Sequence, residues 1–516
     1  MAAETNARAT SRGERDTIRF ILDGEIIETP VPDPTRTVLQ FLREDLRRTG
    51  TKEGCAEGDC GAYTVAIVEV VEIDDSGSRL RTQAVNACIQ FLPTLDGKEL
   101  ITVESLKGDD GSLHPVQQAM LECHGSQCGF CTPGFIMSLF ALFKNEARPS
   151  RRQIDDALAG NLCRCTGYKP IVDAAVRMYE HKTGASDDWL RRSAAHNAGK
   201  RAANAEGRRL DMLRQLERSA SLGTRGPGGA FHAPRTADEL AALLDEYPGA
   251  VVLAGGTDVG LWVTKQFREL GTIIYTGRVD ELTRIATTDD YIEIGAAVSL
   301  TDAMHAIVAV YPTLEELFLR FASPPIRNAG TLGGNVANGS PIGDTMPALL
   351  VLDASLVLQS VAGTREIALD EFYLDYRQTA LEPGEFVARV RISKHAADTE
   401  VQSYKVSKRF DQDISGVCGA YRLALDGDTV ADVRIAYGGM AAIPKRATSC
   451  EQTLLGREWS EAAIRDGMRA LADDFEPITD MRASSDYRRT VCGNLLYRFY
   501  LDTRGEGGER VYAYGR

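Results

Sequence analysis

The chain has 516 residues, enough for roughly three domains, with 43% hydrophobic residues, 73 acidic against 59 basic side chains and a net charge of −14. That acidity argues against non-specific nucleic-acid binding, which needs a basic surface to displace counterions, and no apolar run approaches the ~20 residues of a membrane span. Residues 1–16 lack the apolar stretch of a secretory signal and read as a disordered arm, so the expected compartment is the cytoplasm.

Taken in order, residues 17–24 and 25–31 alternate as two strands of a hairpin turning at Asp23-Gly24. Residues 37–46 have helical apolar spacing, and Gly50 offers a C-cap. A cysteine loop follows, Gly54-Cys55-Ala-Glu-Gly-Asp-Cys60-Gly-Ala-Tyr63. Further strands are expected at 64–71 and 101–105, with Cys88 between them. Cys55 and Cys60 satisfy the first gap of the C-x4-C-x2-C pattern of plant-type ferredoxins, and Cys88 suits the distant ligand. This β-grasp segment, residues 17–107, resembles a plant-type ferredoxin domain, but Tyr63 stands where that pattern has its third cysteine. Three readings are open: Tyr63 ligates iron, Asp59 or Glu57 supplies an oxygen instead, or the cluster is absent and Tyr63 merely packs.

Four amphipathic segments follow, at 113–121, 135–143, 153–159 and 170–179. Between them lie Cys128-Gly-Phe-Cys131-Thr-Pro-Gly134 and Asn161-Leu-Cys163-Arg-Cys165-Thr-Gly167. Eight of the 11 cysteines fall between Cys55 and Cys165, and such clustering in a reducing compartment indicates metal ligands rather than disulfides. Thiols near helix N-termini are expected to deprotonate readily. Cys128, Cys131, Cys163 and Cys165 suit an iron–sulfur cluster or a structural zinc. The two motifs resemble the helical [2Fe–2S] domain of the xanthine dehydrogenase/aldehyde oxidase family, which implies a cluster at residues 108–182.

Residues 183–229 read as a solvated linker with one helix at 204–219. Beyond it the texture becomes β/α. Residues 250–259 read as a buried strand breaking into Gly255-Gly256, a turn whose N–H groups form an anion nest. Residues 323–344 read as a long, small-residued polar loop, a kind usually functional. Together they resemble the vanillyl-alcohol-oxidase-type FAD-binding domain of the same family, over 230–397. The resemblance implies that Leu253, Ala254, Gly255, Gly256, Thr257, Asp258 and Val259 cradle the pyrophosphate and that Thr331, Gly334 and Asn335 continue the phosphate site. It places Asp344 on the ribityl or adenosine side, Phe321 near the isoalloxazine, and Val387 and Lys405 at further flavin contacts. Residues 398–516 mix strands (417–425, 430–438) with helices (460–473, 484–503), and resemble the family's C-terminal flavoprotein subdomain. Lys408-Arg409-Phe-Asp411-Gln-Asp413 fits its loop near the flavin ring.

The expected fold is thus α+β and multidomain: ferredoxin-like, four-helix, FAD-binding and a C-terminal α+β subdomain. The family resemblance implies an electron-transfer subunit with two [2Fe–2S] clusters, the ferredoxin one in question because of Tyr63, and FAD, with NAD+ as acceptor. It also implies a large partner carrying the molybdenum cofactor, two small and two large chains in the assembly, and Gln127 reaching toward the partner's pterin. No nucleophile–base pair, zinc-hydrolase motif or pterin-binding stretch contradicts this, and no catalytic residue is assigned. Purines are the expected substrate; aldehydes or N-heterocycles, or a degenerate cluster-poor flavin subunit, are the alternatives.

Overall fold

The computed structural model describes residues 17–73, 77–108, 110–181, 188–196, 200–396 and 398–508. The expected N-terminal arm, parts of the expected linker and the last eight residues lie outside these. Strands β1 (Thr17–Leu22) and β2 (Glu25–Pro30) form the expected hairpin, with Asp23 and Gly24 both in the left-handed region that a two-residue turn requires. Thr37 caps α1 (Val38–Gln40), which widens into a π-helical turn at Phe41–Asp45. Gly50 is not its C-cap: Arg47 takes the positive φ, and the Gly50 amide donates to the Glu104 carboxylate instead, at 2.8 Å.

β3 (Thr64–Ile73), β4 (Gly77–Asn86) and β5 (Glu99–Ile101) complete a sheet ordered β2-β1-β5-β3-β4. β4 escapes sequence reading because it is a polar edge strand, half covered by a later helix. The strand expected at 101–105 ends at Ile101, because Thr102 folds back on Ser105 (N to Oγ, 3.1 Å).

Helices α2 (Pro115–Glu122), α3 (Thr132–Asn145), α4 (Arg151–Leu158) and α5 (Lys169–Arg177) form the expected four-helix set, three of them opened by a proline in the first turn. His114 caps α2: its Nδ1 accepts from Val116 N–H at 3.2 Å, and Nε2 lies 2.9 Å from the Leu190 carbonyl. Burial lowers its pKa to about 3. The unfolded chain therefore binds a proton below pH ~6.5 that the folded chain refuses, and stability falls as pH drops from ~6.5 toward 3, by ~1.4 kcal/mol per unit. Urea melts at pH 7 and pH 5 check this. His114→Asn, which keeps an acceptor at the cap, is expected to flatten the difference; an unchanged slope contradicts it.

Helix α6 (Lys200–Leu216) begins earlier than expected and is no solvated connector. Leu213 and Leu216 are buried against the helical domain, Arg209 pairs with buried Glu99 at 3.0 Å, and Arg218 just beyond binds Asp96 at 2.7 Å. Two of its leucines at every third residue, Leu213 and Leu216, form a docking stripe.

β6 (Leu222–Gly226) already lies within the span expected as linker. With β7 (Gly229–Ala233), α7 (Ala237–Glu246), β8 (Val251–Leu253), α8 (Val259–Thr264) and β9 (Thr272–Tyr275), it builds a sheet ordered β6-β7-β9-β8. β8 is thus an edge strand, with Val252 exposed, rather than the buried strand expected.

β10 (Ile285–Thr287) and β11 (Tyr291–Gly295) precede four helices, α9 (Leu300–Val310), α10 (Glu315–Leu319), α11 (Pro324–Ala329) and α12 (Leu332–Asn338). The expected polar loop at 323–344 is therefore largely helical. One of its glycines serves packing: a Cβ at Gly333 would strike Ala296. After α13 (Thr345–Val351) come β12 (Ser355–Ser360), β13 (Gly363–Ala368), α14 (Leu369–Phe372), the small pair β14 (Tyr373–Asp375) and β15 (Gln378–Thr379), and β16 (Phe386–Ser393). The second sheet is antiparallel, β10-β11-β16-β12-β13.

The C-terminal unit has strands β17 (Glu400–Val406), β18 (Val417–Asp426), β19 (Thr429–Gly438) and β20 (Lys445–Arg446), paired in that order. Helices α15 (Thr448–Leu454), α16 (Glu461–Asp474) and α17 (Ser485–Thr503) pack on them around a shared core. Buried Arg488 ties α17 to Asp480 (2.7 Å) and to the carbonyls of Gly416 and Gly439.

Candidate functional site

Three clusters of candidate residues lie in succession through the fold. At the outer one, Cys131 is the N-cap of α3 with Cys128 just before it, and the α4–α5 turn presents Cys163 and Cys165. The four thiols meet as two pairs, Cys128 with Cys165 and Cys131 with Cys163. Among the described residues, no three His, Cys, Asp or Glu side chains are grouped to hold one metal ion. Four thiols so paired fit a dinuclear cluster, which takes four cysteines over its two irons. The Phe130 N–H bond lowers the Cys128 thiol, whereas burial, reinforced by Cys163, pushes Cys131 up to about 12. Easy ionisation is thus favoured at Cys128 and opposed by burial at the cap.

The middle cluster is the loop from Cys55 to Tyr63, with Cys88. Tyr63 is fully buried. Its hydroxyl lies 2.8 Å from Cys55 Sγ and accepts from the Cys60 amide at 3.1 Å, and Cys88 is hydrogen-bonded to it as well. A bond from Cys60 brings Cys55 down to about 4 against the opposing effect of burial, while burial raises Cys88 and holds the Tyr63 phenol neutral. Of the two carboxylates that could replace the third thiol, Asp59 has its pKa raised by burial, and Glu57 lies 3.7 Å from Lys265.

This loop is wedged between the other two clusters. Buried Asn161, two residues before Cys163, donates to the Gly61 carbonyl at 3.1 Å and accepts from Ser138 at 2.6 Å. Gly61, at φ +68, lies so close to Gly160 that no side chain fits. On the far side, Ile89 packs on the turn after β8, where a Cβ at Gly256 or Gly260 would come within 3 Å of it. Gln90 donates to the Gly255 carbonyl at 3.1 Å.

The inner cluster gathers the flavin candidates. Leu253 ends β8 and Val259 opens α8. Between them, the N–H groups of Gly255, Gly256, Thr257 and Asp258 donate no hydrogen bond within the described residues. A turn of free amides is an anion nest, which fits a pyrophosphate. Ala254 lies against Gly334, and Thr331 caps α12 by accepting from the Gly334 amide at 3.0 Å. Asn335 accepts from Thr345, and beside it Asp344 pairs with Lys405 (2.7 Å) and accepts from Ser415 (2.5 Å). Phe321 and Val387 pack at one hydrophobic core. A cavity of about 650 Å³ reaches Ala254, Gly255 and Thr331 and runs beneath β3 and β4, past Arg81, Lys98 and Arg278.

Sequence reading assigned no role to Arg327. It is buried, donates to four carbonyls at the end of α10, and binds Asp156 of α4 at 2.6 Å, tying the flavin domain to the helical one. A lone charge among small residues was its only signal.

A flavin-type nest behind two cysteine-bearing domains defines an iron–sulfur flavoprotein. The domains match, in chain order, family models for a 2Fe-2S iron-sulfur cluster binding domain (20–92), a [2Fe-2S] binding domain (102–176), the FAD binding domain in molybdopterin dehydrogenase (225–394) and the CO dehydrogenase flavoprotein C-terminal domain (402–503). Among relatives, the xanthine dehydrogenase of Emericella nidulans is 32% identical over 94% of this chain and 38% of its own length. Aldehyde oxidase 2 of Macaca fascicularis is 31% identical over 97% of this chain and 40% of its own. Among solved structures, a carbon monoxide dehydrogenase chain from Hydrogenophaga pseudoflava, whose enzyme lacks the Mo-pyranopterin moiety, is 28% identical with a TM-score of 0.51. That match covers 54% of this chain and 98% of the other. The chain belongs to the xanthine dehydrogenase/aldehyde oxidase family of molybdenum hydroxylases, as its iron–sulfur/FAD electron-transfer region, and spans about two fifths of the length of these curated relatives. No helix among the described residues is long and apolar enough to cross a membrane.

Proposed function

We propose that this chain is the electron-transfer subunit of a cytoplasmic xanthine dehydrogenase. It receives the electrons of purine oxidation, hypoxanthine and xanthine to urate, from a molybdenum cofactor on a large partner chain and delivers them to FAD and then NAD+. The observation that carries this is the succession of matched iron–sulfur and flavin domains, aligned with a xanthine dehydrogenase over 94% of the chain.

When bound, a [2Fe–2S] cluster at the helical thiols supplies one-electron transfer, and FAD exchanges single electrons for a hydride. The protein's own part is to hold and shield these groups. Cys128, Cys131, Cys163 and Cys165 hold the iron at the surface, ringed by exposed Phe130, Leu162, Tyr168 and Gln127. That rim is where the large chain docks, in an assembly of two small and two large subunits. The amides of residues 255–258 take the pyrophosphate, with Thr331, Gly334 and Asn335 continuing the phosphate site. Asp344 and Lys405 fix one another beside the flavin, and Phe321 and Val387 exclude water.

The aldehyde oxidase relative, at nearly equal identity, favours a second reading with an aldehyde as substrate. Co-purification with the large chain, followed by assays of NAD+ reduction with xanthine and with an aromatic aldehyde, separates the two. NADH formed from xanthine alone is the expected outcome. NADH from the aldehyde alone overturns the substrate, and oxygen consumed in its place overturns the acceptor.

A further inference from the structure

We propose that the ferredoxin-type loop of this chain holds no [2Fe–2S] cluster: the Tyr63 ring occupies the cluster's place, and the chain carries one iron–sulfur centre, at the helical thiols. The count of one rests on the function proposed above, in which electrons then cross the loop from the helical centre to the flavin without a second cluster, more slowly than a two-cluster path would pass them; the exclusion at the loop rests on geometry. The Tyr63 hydroxyl touches all three remaining cysteine residues: it lies 2.8 Å from the Cys55 sulfur, accepts from the Cys60 amide and is hydrogen-bonded to Cys88. A metal–thiolate bond is about 2.3 Å long, so irons shared among these thiols would have to lie in the space the phenol fills. The Cys60 amide, free in principle to face a cluster sulfide, is already spent on the Tyr63 oxygen.

Ligation by Tyr63 itself would require the loop to retreat, since a phenolic oxygen reaches much farther from the backbone than a cysteine sulfur. Retreat is blocked on three sides. Asn86 donates to the Gly58 carbonyl at 2.7 Å, and Gly58 abuts Ile326 of the flavin domain. Asn161 and Thr64 hold the Gly61 carbonyl at 3.1 and 2.7 Å, and the Tyr63 carbonyl accepts from Ala87 at 3.2 Å. The ring packs in the same core as Val65, Val85, Ile89 and Phe91, and releasing it would return that buried apolar surface to solvent.

The test uses the full chain, purified without oxygen, with iron and acid-labile sulfide measured per FAD and the electron paramagnetic resonance spectrum recorded after dithionite reduction. The expected result is about two irons per flavin and a single reduced-cluster signal. Tyr63→Phe, nearly isosteric, is expected to change neither, whereas Tyr63→Cys is expected to raise iron toward about four and add a second signal. About four irons in the wild type, or loss of half the iron in Tyr63→Phe, overturns the proposal. Cys131→Ser locates the centre: losing the lone signal supports the proposal, and keeping it places the iron in the ferredoxin loop and overturns it. Zinc in place of iron overturns the function proposed above instead, and with it the count of one.

Discussion

Replacing Cys131 with serine is expected to strip the helical centre of its iron and to abolish substrate-driven flavin reduction in the complex with the large chain. NADH should still reduce the flavin at the wild-type rate. Cys131 caps α3 and is paired with Cys163, half buried where the other pair, Cys128 and Cys165, is exposed. A serine hydroxyl is a harder and weaker ligand for iron than a thiolate. Loss of a ligand should exceed the roughly 10–100-fold cost in metal affinity of disturbing its supporting shell. The flavin candidates lie on other elements, beyond the Cys55–Tyr63 loop, so they are left intact. Stopped-flow absorbance with NADH and with the partner's substrate reads the two halves separately. Equal loss in both contradicts the assignment.

The second large effect is expected at Asp344 and Lys405. Their side chains are about 97–98% buried and pair at 2.7 Å, with Ser415 and the Arg320 carbonyl satisfying further valences. Removing one partner leaves an uncompensated buried charge, at a cost of about 3–5 kcal/mol. Lys405→Met and Asp344→Asn should each destabilise the flavin domain by that amount and lose FAD on gel filtration. Removing both charges together, as Asp344→Asn with Lys405→Met, should cost much less than the two singles combined, because no lone charge remains. Urea unfolding followed by flavin absorbance measures all three. Additive losses contradict a coupled pair.

The helical domain of this arrangement is legible from residue spacing, whereas the cluster type and the flavin site are reached only through the family resemblance of their motifs. Two cysteine pairs on helical hairpins admit few folds, and α2 to α5 lie within a few residues of where apolar periodicity puts them. The C-terminal strands and helices are likewise found in place. What escaped are features decided by tertiary contact. β4 is polar because it is an edge, and the start of α12 looks like a loop because Gly333 is there to admit Ala296. α6 looks like a linker helix until Arg209 meets Glu99, 110 positions upstream in the chain. Tyr63 was visible as a departure from pattern, yet its consequence depends on Asn86, Asn161 and Ile326 fixing the loop, and no local signal reports those.

The central claim, that this chain is an iron–sulfur flavoprotein whose helical thiols hold a dinuclear cluster, is tested most directly by metal, labile-sulfide and flavin analysis of the purified protein. Iron and labile sulfide are expected in equal amounts, about two of each per FAD, with no stoichiometric zinc. One zinc per chain without labile sulfide would contradict it.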